Sequence, residues 1–304
     1  MKKPLFKQLA MTAGALLLAG NALAITFPDE PTQPTNPTTP TNPGNSGDVR
    51  GPDPTAQALE ARRGPYSVQT KSVRSPRGFG GGTIHYPTGV SGKMGAIAVV
   101  PGFVSYENSI EWWGPRLASW GFVVITMDTN SGYDQPDSRA RQLSAALDYV
   151  IADSTVGGMI DSSRLGVVGW SMGGGGTMKL STDRRLKAII PQAPWYASAS
   201  IGRQITTPAF FIACGADTIA PVRQHVDPFY NNTPNSTSKM YLEVRGASHY
   251  CGNSRNDQED LLGKVGVSWM KRYIDGDTRF EPFLCATNYE SDRRISEQRN
   301  NCKF

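Results

Sequence analysis

Residues 169–173 read Gly-Trp-Ser-Met-Gly, directly after the apolar run Leu165–Val168 and at the start of the glycine run Gly173–Gly176. A chain can satisfy that pattern in few ways. A serine set between a buried strand and a helix onset reads as a very tight strand–turn–helix junction that projects its Oγ out of a sheet into a cleft. The flanking glycines permit the strained backbone and let the helix approach the strand closely. The N–H of Met172 then lies at a helix N-terminus, where a developing oxyanion is stabilised.

The rest of the chain supplies the layers such a junction needs. Candidate strands are Tyr66–Val73, Gly82–Tyr86, Ala96–Pro101, Phe122–Asp128, Leu165–Trp170, Ala188–Gln192, Ala209–Cys214 and Met240–Val244. Candidate helices are Ile110–Ser119, Ser138–Ala152, Met172–Thr182, Arg223–Tyr230 and Asp257–Ile274. Alternating strands and helices predict a doubly wound, mostly parallel central sheet flanked by helices. No helix separates the first two strands, so they are expected to pair antiparallel at one edge. Joined to the serine junction, this pattern is the α/β-hydrolase fold.

The N-terminal part is of a different kind. Residues 1–24 carry Lys2, Lys3 and Lys7, no acid, an apolar stretch Leu9–Ala19, and Ala22-Leu23-Ala24. That is the pattern of a secretory signal peptide cleaved near Ala24, and the apolar stretch is too short for a membrane anchor. Prolines then fall at 28, 31, 34, 37, 40 and 43 among Thr and Asn. A three-residue period is that of polyproline II, so residues 25–53 are expected to form an extended, solvated linker, and 54–304 the catalytic domain. The formal charge of +5 includes the three signal lysines, leaving +2 for the mature chain. No cluster of Lys and Arg interleaved with aromatics argues for nucleic-acid binding.

A serine is a weak nucleophile without a base, and the base needs an orienting carboxylate. The chain has three histidines. His85 precedes the serine inside an early strand and His225 sits in a helical pattern. His249 follows the strand Met240–Val244 in a strand-end loop, as the order serine, acid, histidine requires. The acid should follow the preceding strand, and Asp217 does so at a Gly-Ala-Asp turn after Phe210–Cys214. Asp128 ends a strand ahead of the junction and reads as a turn or capping residue. Asp227, Asp257 and Asp260 fall in helical or helix-start contexts. The predicted triad is Ser171, Asp217 and His249. A second oxyanion donor is expected in the loop Val100-Pro101-Gly102-Phe103, giving the N–H groups of Phe103 and Met172.

An exported chain oxidises its cysteines, and this one has four. Cys214 lies three residues before Asp217 and Cys251 two after His249, so a Cys214–Cys251 bond would tie the acid loop to the base loop. Cys285–Cys302 would then close the C-terminal tail. No C-x-x-C pair or His/Cys cluster supports a metal. Among the aromatics, Trp120 and Trp269 read as core, Trp112 and Trp113 partly so. Trp195 follows Ala-Pro at a strand end and, with Phe103 and Tyr250, would rim an apolar cleft.

With these residues placed, the elbow Gly-Trp-Ser-Met-Gly-Gly-Gly-Gly, Pro191-Gln192-Ala193-Pro194-Trp195, Asp217-Thr218-Ile219-Ala220-Pro221-Val222 and Ser248-His249-x-Cys251 closely resemble bacterial polyester hydrolases, the cutinase-like enzymes that include poly(ethylene terephthalate) (PET) hydrolases. The resemblance runs from about Gly64 to Cys302. The two-disulfide pattern and Trp170 look like the branch containing mesophilic PET hydrolases, whereas compact actinobacterial cutinases typically carry His before the serine and one disulfide. The resemblance implies oxyanion donors at Phe103 and Met172 and an aromatic clamp of Phe103 and Trp195, with Ile219 and Met172 beneath. The best-known PET hydrolase has Tyr at the position of Phe103, and Ser at those of Tyr250 and His225. The bulk of Tyr250 would narrow the cleft, and His225 would restrict rotation of Trp195.

The expectation is a secreted, monomeric serine carboxylesterase acting on polyesters: cutin-like, aliphatic, and aromatic such as PET. It would use no cofactor or metal, take polymeric or small esters as partners, and not insert in a membrane. A lipase or small-ester esterase is the rival enzyme reading, and an adhesion or carbohydrate-binding module on a Pro/Thr spacer the non-enzymatic one.

Overall fold

The computed structural model describes residues 49–254 and 256–304. Residues 1–24, expected to be a signal peptide, and residues 25–48 of the expected linker lie outside the described residues. Nine strands form one sheet among these residues: β1 Val68–Val73, β2 Gly81–Pro87, β3 Met94–Val100, β4 Val123–Asp128, β5 Ile160–Trp170, β6 Leu186–Gln192, β7 Ala209–Cys214, β8 Lys239–Val244 and β9 Ile295–Asn300. Their spatial order is β1-β2-β4-β3-β5-β6-β7-β8-β9. Strands β4, β3 and β5 to β8 are mutually parallel, and antiparallel pairs close both ends: β1–β2 and β2–β4 at one, β8–β9 at the other. This is the α/β-hydrolase fold that the alternating pattern predicts.

The central strands are apolar on both faces because helices cover both. All seven residues of β3 are buried. Its side chains alternate between two cores, Ile97 and Val99 in one, Ala96, Ala98 and Val100 in the other. The first core is completed by helices α1 (Ala56–Glu60), α2 (Trp113–Ala118) and α6 (Glu259–Ile274). The second is completed by α3 (Pro136–Ala152), α4 (Met172–Leu180) and α5 (Val226–Asn232). Trp120 and Trp269 are buried in the first core, as read from their spacing, and Trp112 and Trp113, read as only partly core, are buried there too.

Several elements depart from expectation. Strand β5 begins at Ile160, ahead of the expected Leu165, and helix α5 at Val226, after the expected Arg223. Strand β9, Ile-Ser-Glu-Gln-Arg-Asn, has one buried residue, Ile295, so it carries no apolar run; it forms because β8 offers it a free edge. Helix α1 is five residues capped by the Thr55 side chain and was not expected. Helix α2 starts at Trp113 and not at Ile110, since Glu107–Ser109 take a 3-10 turn instead.

Candidate active site

Ser171, Asp217 and His249 lie just beyond the C-terminal ends of β5, β7 and β8, on the edge of the sheet where parallel α/β folds place their clefts. Ser171 takes φ +58° and ψ −121°, a left-handed backbone that a serine adopts only where its surroundings impose it. Here they do. A Cβ on Gly169 would lie 2.3 Å from the Gly173 carbonyl, and one on Gly173 would lie 2.5 Å from the Pro101 carbonyl. Neither position has room for a side chain. The turn is pinned further by Ser171 N–H donating to the Gln192 carbonyl and by the Ser171 carbonyl accepting from Trp195 N–H, each at 2.9 Å.

Ser171 Oγ lies 2.8 Å from His249 Nε2, and His249 Nδ1 lies 2.6 Å from Asp217 Oδ2. All three side chains are buried. Asp217 Oδ1 accepts from the N–H groups of Ile219 and Ala220, both at 2.8 Å. Burial alone would push the Asp217 carboxyl up, but the His249 ring and those two N–H groups outweigh it and hold the group below the ordinary carboxylate range. An anionic Asp217 on Nδ1 leaves Nε2 free to receive a proton from Oγ.

Met172 opens α4, so its N–H has no intrahelical acceptor. The loop after β3 lies against the serine: a Cβ on Gly102 would sit 2.9 Å from Ser171 Cβ. Among the described residues, neither the Phe103 nor the Met172 N–H is taken by another main-chain group.

The rim is open and apolar. Phe103, Ile219 and Tyr250 are 45%, 54% and 46% exposed, and Trp195 is half-buried. Tyr250 leans on Trp170, with ring centroids 5.5 Å apart, and meets the His249 ring edge-on at 6.0 Å. His225, at the start of α5, has its ring 6.1 Å from that of Trp195. His85 is buried in β2, with Nε2 3.1 Å from Thr126 Oγ1, and burial pushes its pKa down to about 4. It is a neutral core histidine far along the chain from the site. Asp128 accepts from the Glu107 N–H, Asp227 pairs with Arg299, and Asp260 pairs with Arg294, so each has a local structural partner.

Trp170 has a part that residue order does not reveal. Its Nε1 donates to the His249 carbonyl at 2.8 Å, fixing the backbone of the histidine. Trp112 does the same further on, donating to the Gly252 carbonyl at 3.2 Å.

Disulfides join Cys214 to Cys251 and Cys285 to Cys302, with Cα separations of 5.8 and 6.1 Å. The first ties the end of β7, three residues ahead of Asp217, to the loop of His249. Replacing both its cysteines by alanine is expected to lower stability by about 2–4 kcal/mol. The kcat/KM on a soluble ester should fall with it at 25 °C, because Asp217 and His249 lose the common anchor of their loops. A lowered melting temperature with unchanged kcat/KM would show that the bond serves the fold alone. Among the described residues, no group of three or more His, Cys, Asp or Glu side chains is arranged to hold a metal ion.

Comparison with known proteins places this geometry in a family. A family model described as PET hydrolase-like matches residues 41–303. Lipase 1 of Moraxella sp. (strain TA144) is 58% identical over 250 residues, covering 80% of this chain and 77% of its own length. Bis(hydroxyethyl) terephthalate hydrolase of Streptomyces coelicolor is 52% identical over 257 residues, 83% of this chain and 81% of the relative. Cutinase est1 of Thermobifida alba is 50% identical over 263 residues, 84% of this chain and 86% of the relative. With the family model matched over most of its length and relatives this similar, the chain belongs to the PET hydrolase-like family.

Proposed function

We propose that this protein is a secreted carboxylic ester hydrolase that cleaves polyesters, cutin-like, aliphatic and aromatic, through an acyl-enzyme on Ser171. The observation that carries the reading is the buried Ser171–His249–Asp217 chain of hydrogen bonds, at 2.8 and 2.6 Å, opening onto an exposed aromatic rim. In this reading His249 Nε2 takes the Oγ proton as Ser171 attacks the ester carbonyl. The oxyanion is held by the N–H groups of Phe103 and Met172. The C–O bond to the alcohol then breaks, and His249 returns the proton to the departing alkoxide. Water attacks the acyl-serine by the same route, releasing the acid.

Secretion is supported by the basic, apolar and Ala-Leu-Ala segments of residues 1–24, and it suits a catalyst whose polymer substrate cannot enter a cell. Phe103, Trp195, Ile219 and Tyr250 would bind the apolar groups on either side of the scissile ester. The relative named Lipase 1 favours a second reading, a lipase or small-ester esterase. A panel of p-nitrophenyl butyrate, tributyrin, long-chain triglyceride, aliphatic polyester film and amorphous PET film separates the two. Soluble product from at least one polyester film is expected. Turnover of the triglycerides with no product from any film would establish the lipase reading instead.

The same panel tests Tyr250. Its ring fills space beside His249, on the loop that borders the ester. Tyr250→Ser is expected to raise product release from PET film several-fold and to leave p-nitrophenyl butyrate turnover within about twofold, since misplacing a bulky chain by about 1 Å costs about 10²-fold. Lower or unchanged release from a folded variant would mean that the phenol stacks on substrate, a contact of about 0.5–1.5 kcal/mol.

A further inference from the structure

Arg139, on α3, is fully buried, yet its guanidinium points at main-chain carbonyls of two loops. Nη1 donates to Pro101 O at 3.0 Å, Nε to Asp134 O at 2.8 Å, and Nη2 to Gly132 O at 3.0 Å. Pro101 opens the turn that contains Gly102 and Phe103. Gly132 O also accepts from Val104 N–H at 2.8 Å. The Phe103 peptide is therefore flanked by Pro101 and Val104, both anchored to one guanidinium, the first directly and the second through Gly132.

The anchoring meets a need. Val104 holds φ +48°, a backbone that a β-branched residue keeps only where its surroundings over-determine it. On its other side the Pro101 carbonyl abuts Gly173 of the elbow helix, with no room for a Cβ between them. One carbonyl is thus clamped between the helix that follows Ser171 and the guanidinium of Arg139. Burial lowers the pKa of Arg139 to about 10, so it stays charged at neutral pH. Only arginine offers donors in a rigid fork wide enough for three carbonyls on separate residues. Lysine presents its three on a single atom, and a neutral amide has two.

We propose that Arg139 is a positioning residue for the oxyanion site, acting through the Pro101 and Gly132 carbonyls to hold the Phe103 N–H at the angle the tetrahedral oxyanion requires. This rests on the assignment of Phe103 and Met172 as the donors. A donor that is displaced or free to swing loses its advantage in the transition state while substrate binding is little affected.

The test compares wild type, Arg139→Met and Arg139→Lys on p-nitrophenyl butyrate and on its thionoester, in which C=S replaces C=O. Sulfur is larger and a weaker acceptor, so donors fixed for an oxyanion discriminate against it. Wild type is expected to prefer the oxygen ester by about 10²-fold or more. Arg139→Met should lose about 10- to 10²-fold in kcat on the oxygen ester, with KM changed less than about threefold, and the oxygen-over-sulfur preference should fall by the same factor. Arg139→Lys, which keeps the charge and loses the fork, should recover only part of it. Equal losses on the two esters, with the preference intact, would overturn the proposal and leave Arg139 a packing residue. So would the failure of both variants to fold, judged by circular dichroism and thermal melting. A wild type with no preference between the esters would refute the assignment of the donors, a separate outcome.

Discussion

Ser171→Ala is expected to lower kcat on a soluble ester by about 10⁶-fold, the loss that removal of the nucleophile causes in the serine-protease template. The fold should survive. The hydroxyl's side-chain partner is His249 Nε2, and the backbone bonds that pin the turn, to Gln192 and Trp195, do not involve Oγ. Alanine is no worse than serine at φ +58°, and its methyl needs no more room than the serine Cβ. The loss should fall on kcat, since the cleft and its aromatic rim are untouched. The measurement is kcat on p-nitrophenyl butyrate beside a thermal melt. A folded variant keeping more than about a tenth of wild-type turnover would remove Ser171 from the chemistry.

Asp217→Asn is expected to cost about 10⁴-fold in kcat, again by the serine-protease template. Asp217 Oδ2 accepts from His249 Nδ1, and Oδ1 accepts from the N–H groups of Ile219 and Ala220. An asparagine must keep its carbonyl on those two N–H groups, so its NH₂ faces Nδ1. The imidazole then has to turn its lone pair to the amide and its proton to Nε2, the wrong tautomer to accept from Ser171. The carboxyl is held below its ordinary value of 3.8, so its contribution to stability is present above that pH and is lost as pH falls through the lowered value. Acidification to pH 5 should therefore leave Asp217 ionised. An Asp217→Asn variant within tenfold of wild type in kcat at pH 8 would contradict this role.

The parts that were legible in the sequence are those whose constraint acts on side chains. The parallel strands β3 to β8 show as apolar runs because both faces are covered, and the elbow shows because its backbone admits only small neighbours around one serine. The order of serine, acid and histidine then selects among few candidates, since the chain has three histidines. Strand β9 is illegible for the converse reason: it pairs along one edge, buries only Ile295, and is written in polar residues. Helix α1 is too short to show a periodicity. In the site, the residues that escape sequence reasoning work through carbonyls. Trp170 holds the His249 carbonyl, and Arg139 holds those of Pro101, Gly132 and Asp134. A carbonyl is present at every position whatever the side chain, so no spacing or residue type marks it as a target.

The most direct measurement is reaction of the wild-type enzyme with a p-nitrophenyl alkylphosphonate, followed by intact mass and peptide mapping. The phosphonate traps an activated serine by forming an Oγ–P bond as p-nitrophenolate leaves. One adduct per chain on Ser171 is expected, with phenolate released in equal amount and esterase activity lost in proportion to labelling. Complete labelling with activity retained, inactivation with the adduct on another residue, or no labelling of an active enzyme would each contradict catalysis through Ser171.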